Sequence, residues 1–133
     1  MLAGVADQAV GVDLEMLRPR RDLMGLAGLV LGAAQCEALQ ALSPDVALAA
    51  FYRGWTLKEA WFKARGQGLD LARIRSLDFF TREDATGCDS ACAVLPDPGL
   101  VLAVHQPGGL DALPGALAGR RVPWQRFRSL LSG

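Results

Sequence analysis

At 133 residues the chain has room for one domain and little for a second hydrophobic core. Apolar residues make up 51% and charged residues 21%, and the 14 basic and 14 acidic side chains cancel, so bulk charge points to neither nucleic acid nor a membrane surface. No apolar run approaches the roughly 20 residues of a membrane span, and positions 1–7 lack the basic start and apolar stretch of a secretory signal; a cytoplasmic location is expected.

In chain order, residues 2–6 and 9–15 read as two short strands joined at Asp7-Gln8, a hairpin. Arg18-Pro19-Arg20-Arg21 breaks the pattern, and Asp22 is placed to cap a short helix over 23–31. A second short helix is expected over 34–42. The clearest helix follows: Ser43 offers a cap, Pro44 suits the first turn and Gly66 supplies the stop. Along it Val46, Ala50, Leu57, Ala60, Trp61 and Ala64 mix with Phe51 and Trp55 at helical spacing. Strands are expected over 74–80, 91–95 and 100–106. A Pro/Gly-rich stretch over 107–119 then leads to a last short helix over 124–131. The order β-β-α-α-α-β-β-β-α implies an α+β fold, a mostly antiparallel sheet packed against one long helix.

The cysteines, Cys36, Cys88 and Cys92, are odd in number and lack paired spacing, which fits reduced thiols. His105 ends an apolar run and reads as a structural strand-end histidine. More chemistry resides in the acids. Asp13 and Glu15 stand two apart on a strand, so both leave the same face. They are either two solvated acids on an edge or part of a metal site that needs a third oxygen ligand. Trp55, Glu59 and Lys63 are four apart and share one face of the long helix. Glu59 and Lys63 are either a surface pair or, given the apolar surroundings and Gly66-Gln67-Gly68, half of a metal–phosphate site.

Gly11-Val12-Asp13-Leu14-Glu15, followed by Trp55-Thr56-Leu57-Lys58-Glu59-Ala60-Trp61-Phe62-Lys63-Ala64 and Gly66-Gln67-Gly68-Leu69, resembles the paired motifs of the 4′-phosphopantetheinyl transferases. The first motif is weak by itself; the second is long and specific. The likeness covers nearly the whole chain, read as a single domain over 1–133 that matches the carboxyl-terminal half of a surfactin-type enzyme. It implies transfer of phosphopantetheine from coenzyme A to a serine of an apo acyl or peptidyl carrier protein, with release of 3′,5′-ADP. It also implies Mg²⁺ held by Asp13, Glu15 and Glu59, and phosphate contacts from Lys63 and Lys58. Glu59, directly or through a metal-bound water, is implied as the base for the serine. Arg18, Arg20 and Arg21 are placed to form a basic rim for an acidic carrier.

Surfactin-type enzymes have two similar halves, and the resemblance implies that these 133 residues correspond to the carboxyl-terminal one. The expected alternatives are a homo-oligomer that builds the site between copies, or a truncated, non-catalytic remnant that at most binds Mg²⁺ or coenzyme A.

Overall fold

The computed structural model describes residues 9–83, 86–110, 112–117 and 119–132. The first strand of the expected hairpin (2–6) and its turn (7–8) lie outside the described residues. The elements run β1 (Gly11–Met16), α1 (Leu23–Val30), α2 (Ala33–Gln40), α3 (Pro44–Ala64), a one-turn α4 (Leu71–Ile74), β2 (Leu77–Arg82), β3 (Ser90–Leu95), β4 (Leu100–His105), a small ribbon of β5 (Ala116–Leu117) and β6 (Arg120–Arg121), and β7 (Gln125–Leu131). Five strands form an antiparallel sheet in the order β1-β4-β3-β7-β2. The α+β architecture with one long helix on an antiparallel sheet is the one expected. Among the described residues no helix is long and apolar enough to cross a membrane.

α3 organises the domain. Pro44 occupies its first turn, while the Ser43 side chain makes no capping bond. It ends where Gly66 adopts φ 65°, with Gly66 N–H donating to Lys63 O (3.0 Å) and Gln67 N–H to Phe62 O (3.1 Å), a glycine-terminated Schellman stop. One side of α3 lies on β1, β4 and β3, and another receives α1 and α2. Phe51, Tyr52, Leu57, Phe62, Val101, Ala103 and Phe127 close the core between them. Along β1, Gly11, Asp13 and Glu15 face α3 while Val12, Leu14 and Met16 face away. Val12 joins a second small cluster with Cys88, Ala91, Val104 and Leu110 against Trp124, whose Nε1 donates to Pro114 O at 2.8 Å. Leu14 and Met16 remain exposed.

Two expectations fail. Residues 124–131 form no helix: 125–131 are β7, which pairs with β2 over residues 126–131 and with β3 over residues 125–127. Seven residues suit either period, and the open sheet edges beside β3 and β2 decided for the strand. The strand expected over 74–80 begins later, because Asp70 accepts from Ala72 N–H (3.0 Å) and starts α4 instead.

Lys58 is a third correction. It is fully buried, away from the acids. Its Nζ donates to Val30 O (2.7 Å), Ile74 O (2.9 Å) and Gln35 Oε1 (3.2 Å). Val30 and Ile74 are the last residues of α1 and α4, so one ammonium satisfies the carbonyl ends of two helices, where a cation also meets the negative end of each dipole. Burial pushes its pKa down to about 8, against the pull of Asp78, so the amine keeps its charge at neutral pH and its three N–H groups match three acceptors. Lys58 is a structural staple and is not available to a phosphate. Lys58→Met should cost about 3 kcal/mol or more in urea unfolding, because two buried helix-end carbonyls lose their donor; a loss below about 1 kcal/mol would contradict the staple.

Candidate functional site

The site begins with a glycine. A Cβ added at Gly11 would stand 1.8 Å from Ala60 O and 2.6 Å from Ala64 N, so the backbone of β1 touches the backbone of α3. That contact brings the acids of β1 against the Trp55–Glu59–Lys63 face. Asp13 is buried; its Oδ1 accepts from Lys63 Nζ at 2.6 Å, and its Oδ2 is buried with no partner among the described residues. Glu15 Oε1 accepts from Trp55 Nε1 at 3.3 Å. As the strand runs from 13 to 15 its partners run back along the helix from 63 to 55, which leaves Glu59 in the middle of the row.

The electrostatics follow from this packing. Burial and then the Asp13 charge raise the Glu59 pKa, with Glu15 adding and Lys63 opposing. The hydrogen bond to Asp13 raises that of Lys63. Asp13, Glu15, Glu59 and Lys63 are therefore neighbours; spacing pairs Asp13 with Glu15 and Glu59 with Lys63, and the packing of β1 on α3 brings the two pairs together. They do not close into a ligand cage: among the described residues no three His, Cys, Asp or Glu side chains converge tightly enough to hold a metal ion. Two features escaped the sequence reading, the Gly11 contact and the Trp55–Glu15 bond. A glycine inside an apolar strand is the signal for the first, since it marks close backbone approach.

Glu59 gives a pH test. A carboxylate whose folded pKa lies above its unfolded one contributes stability at low pH and loses that contribution as pH rises through the folded value. The metal-free protein should therefore lose stability across the weakly acidic range just above the ordinary glutamate value of about 4.3. Glu59→Gln should flatten this part of the thermal-stability curve. An unchanged slope would assign the effect to another group.

A groove of about 330 Å³ adjoins the acids, bounded by Glu15, Arg20, Leu29, Phe51, Tyr52 and Trp55. Arg20 Nε donates to Tyr52 Oη at 2.8 Å, which fixes its position on the rim.

Comparison with known proteins shows the family of the chain. The family model of the 4′-phosphopantetheinyl transferase superfamily matches residues 9–102, more than half of the chain. The chain is 33% identical over 105 residues to the 4′-phosphopantetheinyl transferase HetI of Nostoc sp., a stretch that covers 74% of this chain and 44% of HetI. It is 44% identical over 57 residues to the 4′-phosphopantetheinyl transferase AcpT of Salmonella typhimurium, covering 43% of this chain and 30% of AcpT. The chain thus spans less than half the length of these curated relatives. In fold it is similar to a holo-(acyl-carrier-protein) synthase from Bacillus anthracis crystallised in complex with CoA (3′,5′-ADP), at TM-score 0.59 and 15% identity, over 74% of this chain and 93% of that one. A holo-[acyl-carrier-protein] synthase from Thermotoga maritima aligns at TM-score 0.56 and 16% identity, over 92% of this chain and 84% of that one.

Proposed function

The chain belongs to the 4′-phosphopantetheinyl transferase superfamily, and from that premise we propose that it moves phosphopantetheine from coenzyme A to a serine of an apo acyl or peptidyl carrier protein, releasing 3′,5′-ADP. One observation carries the reading: among the described residues Asp13 Oδ2 is buried without a partner in a row of three acids and a lysine. An orphaned carboxylate oxygen is costly unless a cation or donor arrives.

In the proposed reaction the serine oxygen forms a bond to the β-phosphorus of coenzyme A. The bond from that phosphorus to the bridging oxygen breaks, and 3′,5′-ADP leaves with the electron pair. Glu59, with its raised proton affinity, is the group proposed to accept the serine proton. Lys63, whose side chain is half exposed, is the proposed phosphate contact, and Asp13 holds it at the row. Asp13, Glu15 and Glu59 are the residues that would hold Mg²⁺, and an all-oxygen set with an unpartnered carboxylate oxygen suits that ion. When bound, magnesium would neutralise charge developing on the phosphate of the departing 3′,5′-ADP. Arg20, with Arg18 and Arg21, is the proposed rim for an acidic carrier.

The test is purified chain with coenzyme A, Mg²⁺ and an apo carrier, read by mass spectrometry. The carrier should gain the mass of one phosphopantetheine arm. No gain across several apo carriers, with the chain folded, would overturn the reading.

The proposal extends to assembly. On the sheet face away from α3, a groove of about 420 Å³ is lined by Leu14, Leu95, Leu100, Leu102 and Val122, next to exposed Met16. Apolar surface of this kind favours association, and a second copy is the proposed partner. Sedimentation should show a homo-oligomer that Leu14→Asp disperses; a strict monomer at high concentration would contradict it.

A further inference from the structure

On the flank of α3 away from Glu59 and Lys63, a second polar system crosses the sheet. His105 is fully buried at the end of β4. Its Nε2 lies 2.9 Å from Arg65 Nη1, and its Nδ1 lies 2.7 Å from Ser90 Oγ. A guanidinium only donates, so Nε2 accepts and the ring proton sits on Nδ1. That proton is donated to Ser90 Oγ, whose own hydrogen goes to Asp89 Oδ1 at 3.0 Å. Asp89 is anchored in turn by Ser129, whose N–H donates to Oδ1 (2.9 Å) and whose Oγ donates to Oδ2 (2.6 Å). Burial first, helped by Arg65 and opposed by Asp89, brings the His105 pKa down to about 4. The ring is thus neutral, and its 3.9 Å approach to Asp89 is no ion pair.

The chain of bonds ends on an exposed arginine. Arg65 Nη1 also donates to Trp61 O at 2.9 Å, and its Cζ sits 3.5 Å over the Trp61 indole. Arg73 Cζ lies 5.8 Å from the same ring. Two guanidinium groups therefore share one indole, and among the described residues neither forms an ion pair. Arg73 further lines a cleft of about 400 Å³ with Ser76 and Ser132. Those serine hydroxyls make no hydrogen bond among the described residues. The glycine turn after Arg65 is open, since a Cβ at Gly66 or Gly68 would meet nothing within 4 Å.

Asp89 acts on Arg65 only from beyond ion-pair distance. Two guanidinium groups held over one indole without a direct acid partner therefore remain open to a bound anion, and guanidinium and hydroxyl donors match a tetrahedral oxyanion. We infer that Arg73, Ser76 and Ser132, with Arg65 beside them, form a phosphate-binding site separate from the acid row, and that His105, through Ser90 and Asp89, is the positioning residue for Arg65. The ligand is a phosphate dianion, free or as the monoester of a nucleotide.

The test titrates the full chain, without carrier, with inorganic phosphate and separately with 3′,5′-ADP, following the Trp61 indole N–H and the Ser76 and Ser132 amides by NMR. Because it reads binding alone, its outcome is independent of the transferase reading. At least one probe should shift these signals and weaken about tenfold in Arg73→Met, a surface change, and in Arg65→Lys, which keeps a cation beside Trp61 and His105 but loses the guanidinium fork. It should weaken likewise in Arg65→Met, whose fold is checked by thermal unfolding because it leaves buried His105 Nε2 without its donor. Tenfold weakening of both probes in parallel marks free phosphate as sufficient; weakening of 3′,5′-ADP alone marks a nucleotide phosphate. His105→Gln, which can still accept from Arg65, should bind more tightly than His105→Ala; if both fail to fold, Arg65→Lys decides. Shifts confined to the acid row, or affinities unchanged in the arginine variants, would overturn the site.

Discussion

Asp13→Asn should abolish transfer and leave the fold almost untouched. The substitution keeps the shape of the side chain but removes the charge that holds Lys63 at 2.6 Å and would draw a cation. Lys63 is half exposed and can be re-solvated, and the unpartnered Oδ2 ceases to be a charged oxygen. Stability should therefore move by no more than about 1 kcal/mol in either direction. Activity should fall by roughly 10²–10³ or more, the scale of losing one preorganised electrostatic contact to a transition state. Thermal unfolding and carrier mass gain, measured on the same preparation, separate the two effects. A variant that keeps more than about a tenth of wild-type activity would remove Asp13 from the chemistry.

Gly11→Ala should do the reverse, acting on the fold and, through it, on the site. The new Cβ would lie 1.8 Å from Ala60 O, a backbone atom in the C-terminal part of α3 that cannot swing aside. Strand and helix must separate. Overpacking of a well-packed core costs about 1–3 kcal/mol, and a backbone clash belongs at or above the top of that range. A fall of roughly 10 °C in Tm is expected for a domain of this size. Asp13, two residues along the strand, should leave Lys63 as well, so transfer should drop by more than the unfolded fraction explains. Gly28→Ala is the control. A Cβ there meets nothing within 4 Å in α1, and the change should be neutral or stabilising by up to about 1 kcal/mol. Equal melting of the two variants would show that the β1–α3 contact is looser than described.

The reading from residues and the folded molecule part company at identifiable places. Lys58 and Lys63 sit five apart in one motif and look alike on paper. The rotation between them on α3 sends one to the carbonyl ends of α1 and α4 and the other to Asp13. No local rule announces that two helix ends will meet beneath position 58. Residues 125–131 carry no decisive period of their own, and they became β7 because β2 and β3 offered unpaired edges.

What the sequence determined by itself is whatever depends on short-range spacing. The long helix with its Pro44 start and Gly66 stop, the α+β order, and the shared face of residues 55, 59 and 63 all follow from helix and strand periods acting over a few residues. The family motif is legible for the same reason, since it is written in two contiguous stretches. Only the tertiary structure decided how the two stretches meet. The missing side chain at Gly11 sets the distance of β1 from α3, and burial then leaves Asp13 Oδ2 orphaned and raises the Glu59 pKa. The bond chain from Asp89 through Ser90 and His105 to Arg65 joins residues from β3, β4 and the end of α3, which no spacing along the chain connects. Burial and long-range hydrogen bonding are properties of the packed chain, because desolvation depends on everything that surrounds a group and not on its neighbours in sequence.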